Sequence, residues 1–366
     1  MPHPRCFVSV QALRALAAIL VVVFHLAIVE GRFGAGPAIL PDFTRFADGG
    51  VDLFFVISGF VMTTIASGSY GSRANAGRFL ARRTWRILPL YWFYTTLVVL
   101  LMIVAPGIAN SAYADQDILA SYLLWPQAEL PVLTVGWTLI HEMYFYLVMA
   151  ALIAMGRERA VPGALLAWAL AVAAGWASGP GEPLSMLVAS PMTLEFIAGA
   201  FIGLYWRRVP RQYGIACLVL GTAAFTLAMP ALELAGATAN GPLLRTLVFG
   251  SCGALVVLGA VTAEAGACIR VPRCLSVIGD SSYSLYLSHV FVISAAGRAW
   301  VWSGLNQAWW QHAGFLALAL IACIAAGLVS HRLLEQPLLR LGGHLFRRRR
   351  HRVAEADTAA PVLQPD

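Results

Sequence analysis

Apolar residues run along this chain in long blocks, and charged positions mark the joins between them. Read with a window of about 19 residues, the pattern predicts ten membrane-spanning helices. They are Phe7 to Val29, Gly50 to Ala66, Arg86 to Ala105, Trp137 to Met155 and Val161 to Ala177, followed by Met186 to Trp206, Tyr213 to Met229, Leu243 to Thr262, Tyr283 to Trp302 and His312 to Leu334. Most of these runs approach the roughly 20 residues that a bilayer requires. The predicted fold class is all-α: a polytopic integral membrane protein with about ten transmembrane helices. Residues 1–340 form the membrane domain in this reading, and residues 341–366 a basic, disordered tail. Glu335-Gln336-Pro337 reads as a structural stop to the tenth span, because proline ends helices. The first run is longer than a signal-peptide core and contains Arg14, so it is expected to stay as a span rather than be cleaved. No internal repeat of the transporter kind is visible.

Composition agrees with the pattern. Over 366 residues, 59% are hydrophobic and only 12% charged, which excludes a pair of soluble domains. The net charge of +7 would admit nucleic acid as a partner, but the positions of the arginines exclude it. Arg5, then Arg73, Arg78, Arg82 and Arg83, then Arg157 and Arg159, then Arg207, Arg208 and Arg211, then Arg270 and Arg273, then Arg347 to Arg350 fall in alternate connections. The positive-inside rule places those connections, and both termini, in the cytoplasm. The intervening connections hold Arg32 and Arg45 but lean acidic, with Asp42, Asp115, Asp117, Glu129, Glu182 and Glu233. The chain contains no lysine, so Schiff-base and lysine-nucleophile chemistry are excluded. Its six cysteines have no CxxC spacing, and neither structural disulfides nor zinc is expected. Cys268 and Cys274 share a loop as reduced thiols on the cytoplasmic side.

Ionisable residues inside an apolar run are costly and mark function or pairing. The first span carries Arg14 and His25, eleven residues apart. At 100° per residue this separation is about 1100°, within roughly 20° of three turns, so both side chains leave one face about 16 Å apart. Between them that face shows only Ala18 and Val21, a smooth stripe. Topology puts His25 near the outer face, with Asp52 at the start of the second span and Glu142 a turn into the fourth at similar depth. An imidazole with a carboxylate to set its tautomer is what general-base chemistry requires. Each residue also has a plainer reading. His25 can be an interfacial hydrogen-bonding residue, Arg14 can snorkel to the inner headgroups, Asp52 can cap its helix, and Glu142 can pair with His141.

On the cytoplasmic side, Arg82, Arg83 and Arg86 fall three and four residues apart. On a helix they form one guanidinium cluster, suited to phosphate, with the dipole of a helix start adding to it. The alternative is a topology determinant touching anionic lipid, which is also the reading of Arg347 to Arg350. Tyr286 and His289 share a face of the ninth span in the inner half of the membrane. They either line a cavity below Arg14 or hydrogen-bond to neighbouring helices.

These residues resemble the membrane acyltransferase family three. The likeness rests on Gln11-Ala-Leu-Arg14 with His25, on Gly50-Val-Asp52-Leu-Phe-Phe-Val-Ile-Ser58-Gly59-Phe, and on Arg83-x-x-Arg86-Ile-x-Pro89-x-Tyr91-Trp92. Gly136-Trp137-Thr138-Leu139 with Glu142 and Phe145-Tyr146, and Tyr283-Ser284-Leu285-Tyr286-Leu287-x-His289, extend it over the whole membrane region. Within the family the wording is most similar to exopolysaccharide acetylases of the bacterial inner membrane. The resemblance implies transfer of an acyl group, usually acetyl, from cytoplasmic acyl-CoA to a hydroxyl of a cell-surface polysaccharide or lipid-linked glycan. It implies His25 as the essential histidine, Arg14 as its paired arginine and Arg83 with Arg86 as the double-arginine motif. The expected donor is acetyl-CoA or another acyl-CoA, bound as substrate by Arg14, Arg82, Arg83, Arg86, Tyr286 and His289, with no bound cofactor and no metal. His25, assisted by Glu142 or Asp52, is the expected base, and an acyl-histidine intermediate is the competing route. Membrane lipid is the other expected partner. No residues remain for the appended esterase-like domain that some members carry, so a stand-alone transferase is expected. The competing class is a transporter or flippase of an acyl donor or lipid-linked sugar, with Arg14, His25 and Glu142 as its path.

Overall fold

The computed structural model describes residues 7–105, 116–236 and 241–346. Among them nine helices have the length and apolarity to cross a membrane. A tenth, Ser282–Ser303, has the length, but Ser282, Ser284, Ser288 and His289 lower its apolarity, and all four are buried in the protein. The principal helices are α1 (Val8–Phe33), α2 (Gly50–Ala66), α3 (Arg73–Val104), α4 (Trp137–Met155), α5 (Val161–Ala177), α6 (Thr193–Tyr205), α7 (Tyr213–Leu234), α8 (Ser251–Ala265), α9 (Ser282–Ser303) and α10 (Trp309–Ser330).

Three of these, α2, α4 and α5, have the ends that the hydropathy pattern predicts. The others differ where polar turns extend a helix or break it. Whereas hydropathy starts the third span at Arg86, α3 begins at Arg73, because its opening turns are amphipathic. Ser72 caps it, accepting from the Asn75 amide at 3.3 Å. The sixth run is two helices, Pro183–Val188 and α6, with Pro191 in the break. The eighth enters through a short helix, Pro242–Arg245, and a wide π turn, Thr246–Gly250.

Pro337 does not stop the last helix. Beyond α10 the chain passes through a π turn, His331–Glu335, and stays helical to Phe346. That turn ends two residues before Pro337, and its widened ladder moves aside the carbonyl that the pyrrolidine ring would strike. The extension packs on α3, where Trp85 Nε1 donates to the Leu338 carbonyl at 2.9 Å and Gly342 lies against the indole. The helical body therefore runs past the expected boundary at residue 340. Arg5, Cys6, Asp115 and Arg347 to Arg350 lie outside the described residues.

Two close helix contacts position the functional elements. Helices α2 and α6 cross so tightly that a Cβ on Gly59 would overlap the Phe196 carbonyl, and one on Gly199 the Val56 carbonyl. Small residues at such crossings let backbones meet, which is how helices associate in lipid. Gly199→Val is expected to force the pair apart and destabilise the protein by about 1–3 kcal/mol, seen as a lower melting temperature in detergent. The second contact is Gly279, whose Cα lies on the Gln11 carbonyl. It sets α9 beside α1, running in the same direction.

Candidate active site

A cavity of about 350 Å³ lies between α1, α2, α3, α4 and α9. Arg14 enters it from α1, Arg83 and Arg86 from α3, Glu142 and Tyr146 from α4, and Tyr286 from α9. Arg14 Nη1 donates to Gln11 Oε1 at 3.2 Å, a residue one helical turn away on the same face. Glu142 Oε1 accepts from Ser58 Oγ at 2.5 Å, and the Tyr146 hydroxyl lies beside Glu142 and Arg83. His141 does not pair with Glu142; its Nδ1 faces the Trp137 carbonyl at 3.1 Å. Among the described residues no carboxylate lies within ion-pair distance of Arg14, Arg83 or Arg86. Cations withdrawn from bulk water without a counter-ion are costly, and guanidinium forks match phosphate oxygens. Glu142 is the one carboxylate among the described residues that lines the cavity, against three guanidinium groups.

At its arginine-rich end the cavity meets a second one of about 430 Å³, and Ile65, Arg83 and Arg86 line both. Arg78 and Arg82 line only the second chamber, with Ser69, Asn75 and Leu339 of the extended last helix. The expectation of a helix dipole here is corrected. Because α3 starts at Arg73, the arginine cluster lies roughly three turns inside the helix, and an end dipole does not reach that far. The guanidinium groups alone supply the positive field.

In the opposite direction the cavity ends at Tyr286 and Thr138, whose oxygens are 2.8 Å apart. One turn further along α9, His289 Nε2 lies 3.3 Å from His25 Nδ1. His25 Nδ1 also faces the Val21 carbonyl at 2.8 Å, and His289 Nδ1 faces the Leu285 carbonyl at 3.2 Å. Tyr286 and His289 are therefore beyond Arg14 towards His25, not below it. The helix Arg273–Asp280 occupies the level of the first turn of α1, which pushes α9 one step outward.

Two further expectations are corrected. Ala18 and Val21 do not form an open stripe, because both are buried in packing, Ala18 in the apolar cluster that holds Leu285 and Val21 in the one that holds Val51 and Phe55. Phe54, Thr138 and Tyr286 line the end of the cavity towards His25 instead. Nor do Asp52 and Glu142 converge on His25. Asp52, fully buried, accepts from Arg245 Nε at 3.0 and 2.9 Å and from Nη2 at 2.7 Å. Arg245 also holds the Asp48 carboxylate and donates to its carbonyl at 2.7 Å, with Glu195 buried alongside. Counting residues from span ends gives depth but not azimuth, and the first turn of α2 points Asp52 away from α1. Ser58, which binds Glu142, is six residues or about 9 Å further along α2. Sequence reasoning gives no role to Tyr146 and Gln11, whose signals are their i+4 and i−3 spacing from Glu142 and Arg14. Arg245 carries the signal that Arg14 carries, an arginine inside a predicted span, Leu243 to Thr262, but nothing local identifies its partners, which are far away in the chain.

A family model described as an acyltransferase domain matches residues 7–328. The chain is 34% identical over 301 residues to the exopolysaccharide production protein ExoZ of Rhizobium meliloti (strain 1021), covering 80% of this chain and 90% of that protein. It is 26% identical to nodulation protein 10 of Rhizobium leguminosarum bv. viciae, over 83% of this chain and 85% of the relative. It is 27% identical to BcsY of Komagataeibacter xylinus, a protein named for a membrane-bound transacylase, over 90% and 82% of the two chains. No solved structure matches the chain.

Proposed function

The chain belongs to the membrane acyltransferase family and is an O-acyltransferase, and from that premise we propose that it moves an acyl group, acetyl in the simplest case, from cytoplasmic acyl-CoA to a glycan hydroxyl. The acceptor in this reading is an exopolysaccharide or a lipid-linked precursor of one, following the name of the relative from Rhizobium meliloti. In this reading the protein lies in the bacterial inner membrane, with its arginine-rich end and both termini in the cytoplasm. Family membership sets aside the carrier reading.

The observation that supports the proposal is the set of three guanidinium groups around one cavity, none within ion-pair distance of a carboxylate among the described residues, continuous with a basic chamber. The phosphates of the donor rest on Arg82, Arg83 and Arg86, and Arg14 holds the inner end of the same anion. The acyl arm passes Phe54, Thr138 and Tyr286 towards His25. With Nδ1–H donated to the Val21 carbonyl, neutral His25 keeps the lone pair of Nε2 for the acceptor hydroxyl. The hydroxyl proton passes to Nε2 as its oxygen bonds to the acyl carbon. The carbon–sulfur bond breaks, and the thiolate then takes the proton to leave as free CoA. Glu142, bound to Ser58 beside Arg83 and Tyr146, orients the donor pocket. Asp52 anchors the fold through Arg245.

Membrane vesicles of known orientation, fed acyl-CoA from one face, test this. Transfer is expected only when acyl-CoA meets the face that is cytoplasmic in the cell. Replacing Arg83 or Arg86 by alanine is expected to raise KM for acyl-CoA about 10- to 100-fold, the range for losing a charge-assisted hydrogen bond, with a smaller change in kcat. Equal transfer from both faces, or unchanged KM in both variants, contradicts the proposal.

A further inference from the structure

We propose that His289 is a positioning residue for acyl transfer, standing behind His25 where a carboxylate stands in most histidine bases. The proposal rests on the reading of His25 as the base.

The hydrogen bonds fix both rings. His25 Nδ1 faces two groups, the Val21 carbonyl at 2.8 Å and His289 Nε2 at 3.3 Å. A carbonyl only accepts, so in neutral His25 the proton is on Nδ1. His289 Nδ1 faces the Leu285 carbonyl at 3.2 Å, so its proton is on Nδ1 as well, and the lone pair of its Nε2 points at His25. Each ring is thereby held in one tautomer and one orientation, with His25 Nε2 left as the reacting atom.

The surroundings explain why a second imidazole does this. His289 is fully buried, with the Tyr286 ring 6.0 Å away on its own helix and the Cys323 thiol of α10 4.0 Å from its carbonyl oxygen. Helix α1 contributes the Phe24 ring beside His25, and α2 contributes Phe54 against Tyr286. Among the described residues neither histidine has a carboxylate partner, since Asp52 is bound by Arg245 and Glu142 by Ser58. A carboxylate here would itself need a counter-ion in the membrane interior. A neutral imidazole leaves the resting pair uncharged.

The step balances as follows. The acceptor O–H bond breaks and an N–H bond forms at His25 Nε2. The new ester C–O bond forms, the C–S bond breaks with its electron pair on sulfur, and the sulfur then takes the Nε2 proton. While His25 holds both protons, its Nδ1–H is shared with His289 Nε2, which spreads the charge over two rings in a dry place.

The test is acyl-CoA-dependent transfer in membranes against pH, for His289→Leu, His289→Gln and His289→Glu, with His25→Ala as reference. Protein abundance and melting temperature are measured for each. His289→Leu is expected to lower kcat about 100-fold with KM for acyl-CoA within about twofold of wild type. His289→Gln, whose amide oxygen can still accept from Nδ1–H, is expected to stay within about tenfold. His289→Glu is expected to move the rising limb of the kcat–pH curve about one unit higher, because a carboxylate favours protonated His25. Wild-type kcat in folded His289→Leu, or equal losses in all three variants without any change in the pH curve, overturns the proposal while His25 stands. Activity in His25→Ala removes the reading beneath it and is recognised separately.

Discussion

Membranes containing His25→Gln are expected to transfer acyl groups about 10²- to 10⁴-fold more slowly than wild type, the range for removing a general base. Glutamine matches much of the ring's reach and offers an amide to the Val21 carbonyl, but it cannot take a proton. The anion site is separated from His25 by Tyr286 and Thr138, so KM for acyl-CoA should hold near its wild-type value. Loss of kcat with KM preserved places the defect in the chemical step. A His25→Gln enzyme with kcat within about threefold of wild type would remove His25 from that step. Loss through KM alone would make it a binding residue.

A second large effect is expected at Arg245, which binds the carboxylates of Asp52 and Asp48. Arg245→Ala leaves Asp52 and Asp48 without their cation and Glu195 buried beside them. Removing one partner of a buried ion pair typically costs about 3–5 kcal/mol, because the remaining charge is desolvated and uncompensated. The expected result is sharply lower abundance and thermal stability in detergent. The loss should come from the stranded carboxylates, so Arg245→Leu combined with Asp52→Leu is expected to recover a good part of it. Thermal melts of the single and double variants read this directly. If Arg245→Ala melts with wild type, the cluster does not hold the fold together.

The particular residues show which parts of this were legible in the sequence. Helices α2, α4 and α5 are legible to the residue because their ends coincide with the ends of apolar blocks. The early turns of α3 and the extension past Pro337 are not, because helix in water has no reason to be apolar. The arginine-lined cavity is legible in part. Arg14, Arg83, Arg86 and Glu142 stand out as charges in or beside apolar runs, and the fold brings them to one cavity. The partner of His25 is not legible. Its identity depends on how α9 slides along α1, and that is settled by a backbone contact between Gly279 and Gln11. Hydropathy has no access to such a register. The azimuth of Asp52 escapes for the same reason, since its cation comes from a helix remote in sequence.

The length of two helices has a consequence for how the halves of the site respond to their surroundings. Helix α3 has 32 residues and the last helix 38, which at 1.5 Å per residue is roughly 48 and 57 Å against about 30 Å of hydrocarbon. Their surplus lies at the arginine-rich end, where Trp85 and Leu338 join them beside the second chamber. Arg78 and Arg82 of that chamber are exposed, while His289 is buried and His25 half-buried. Ionic strength screens the first and scarcely touches the second. On the proposed reaction, added salt is therefore expected to weaken donor capture while leaving the chemical step unchanged.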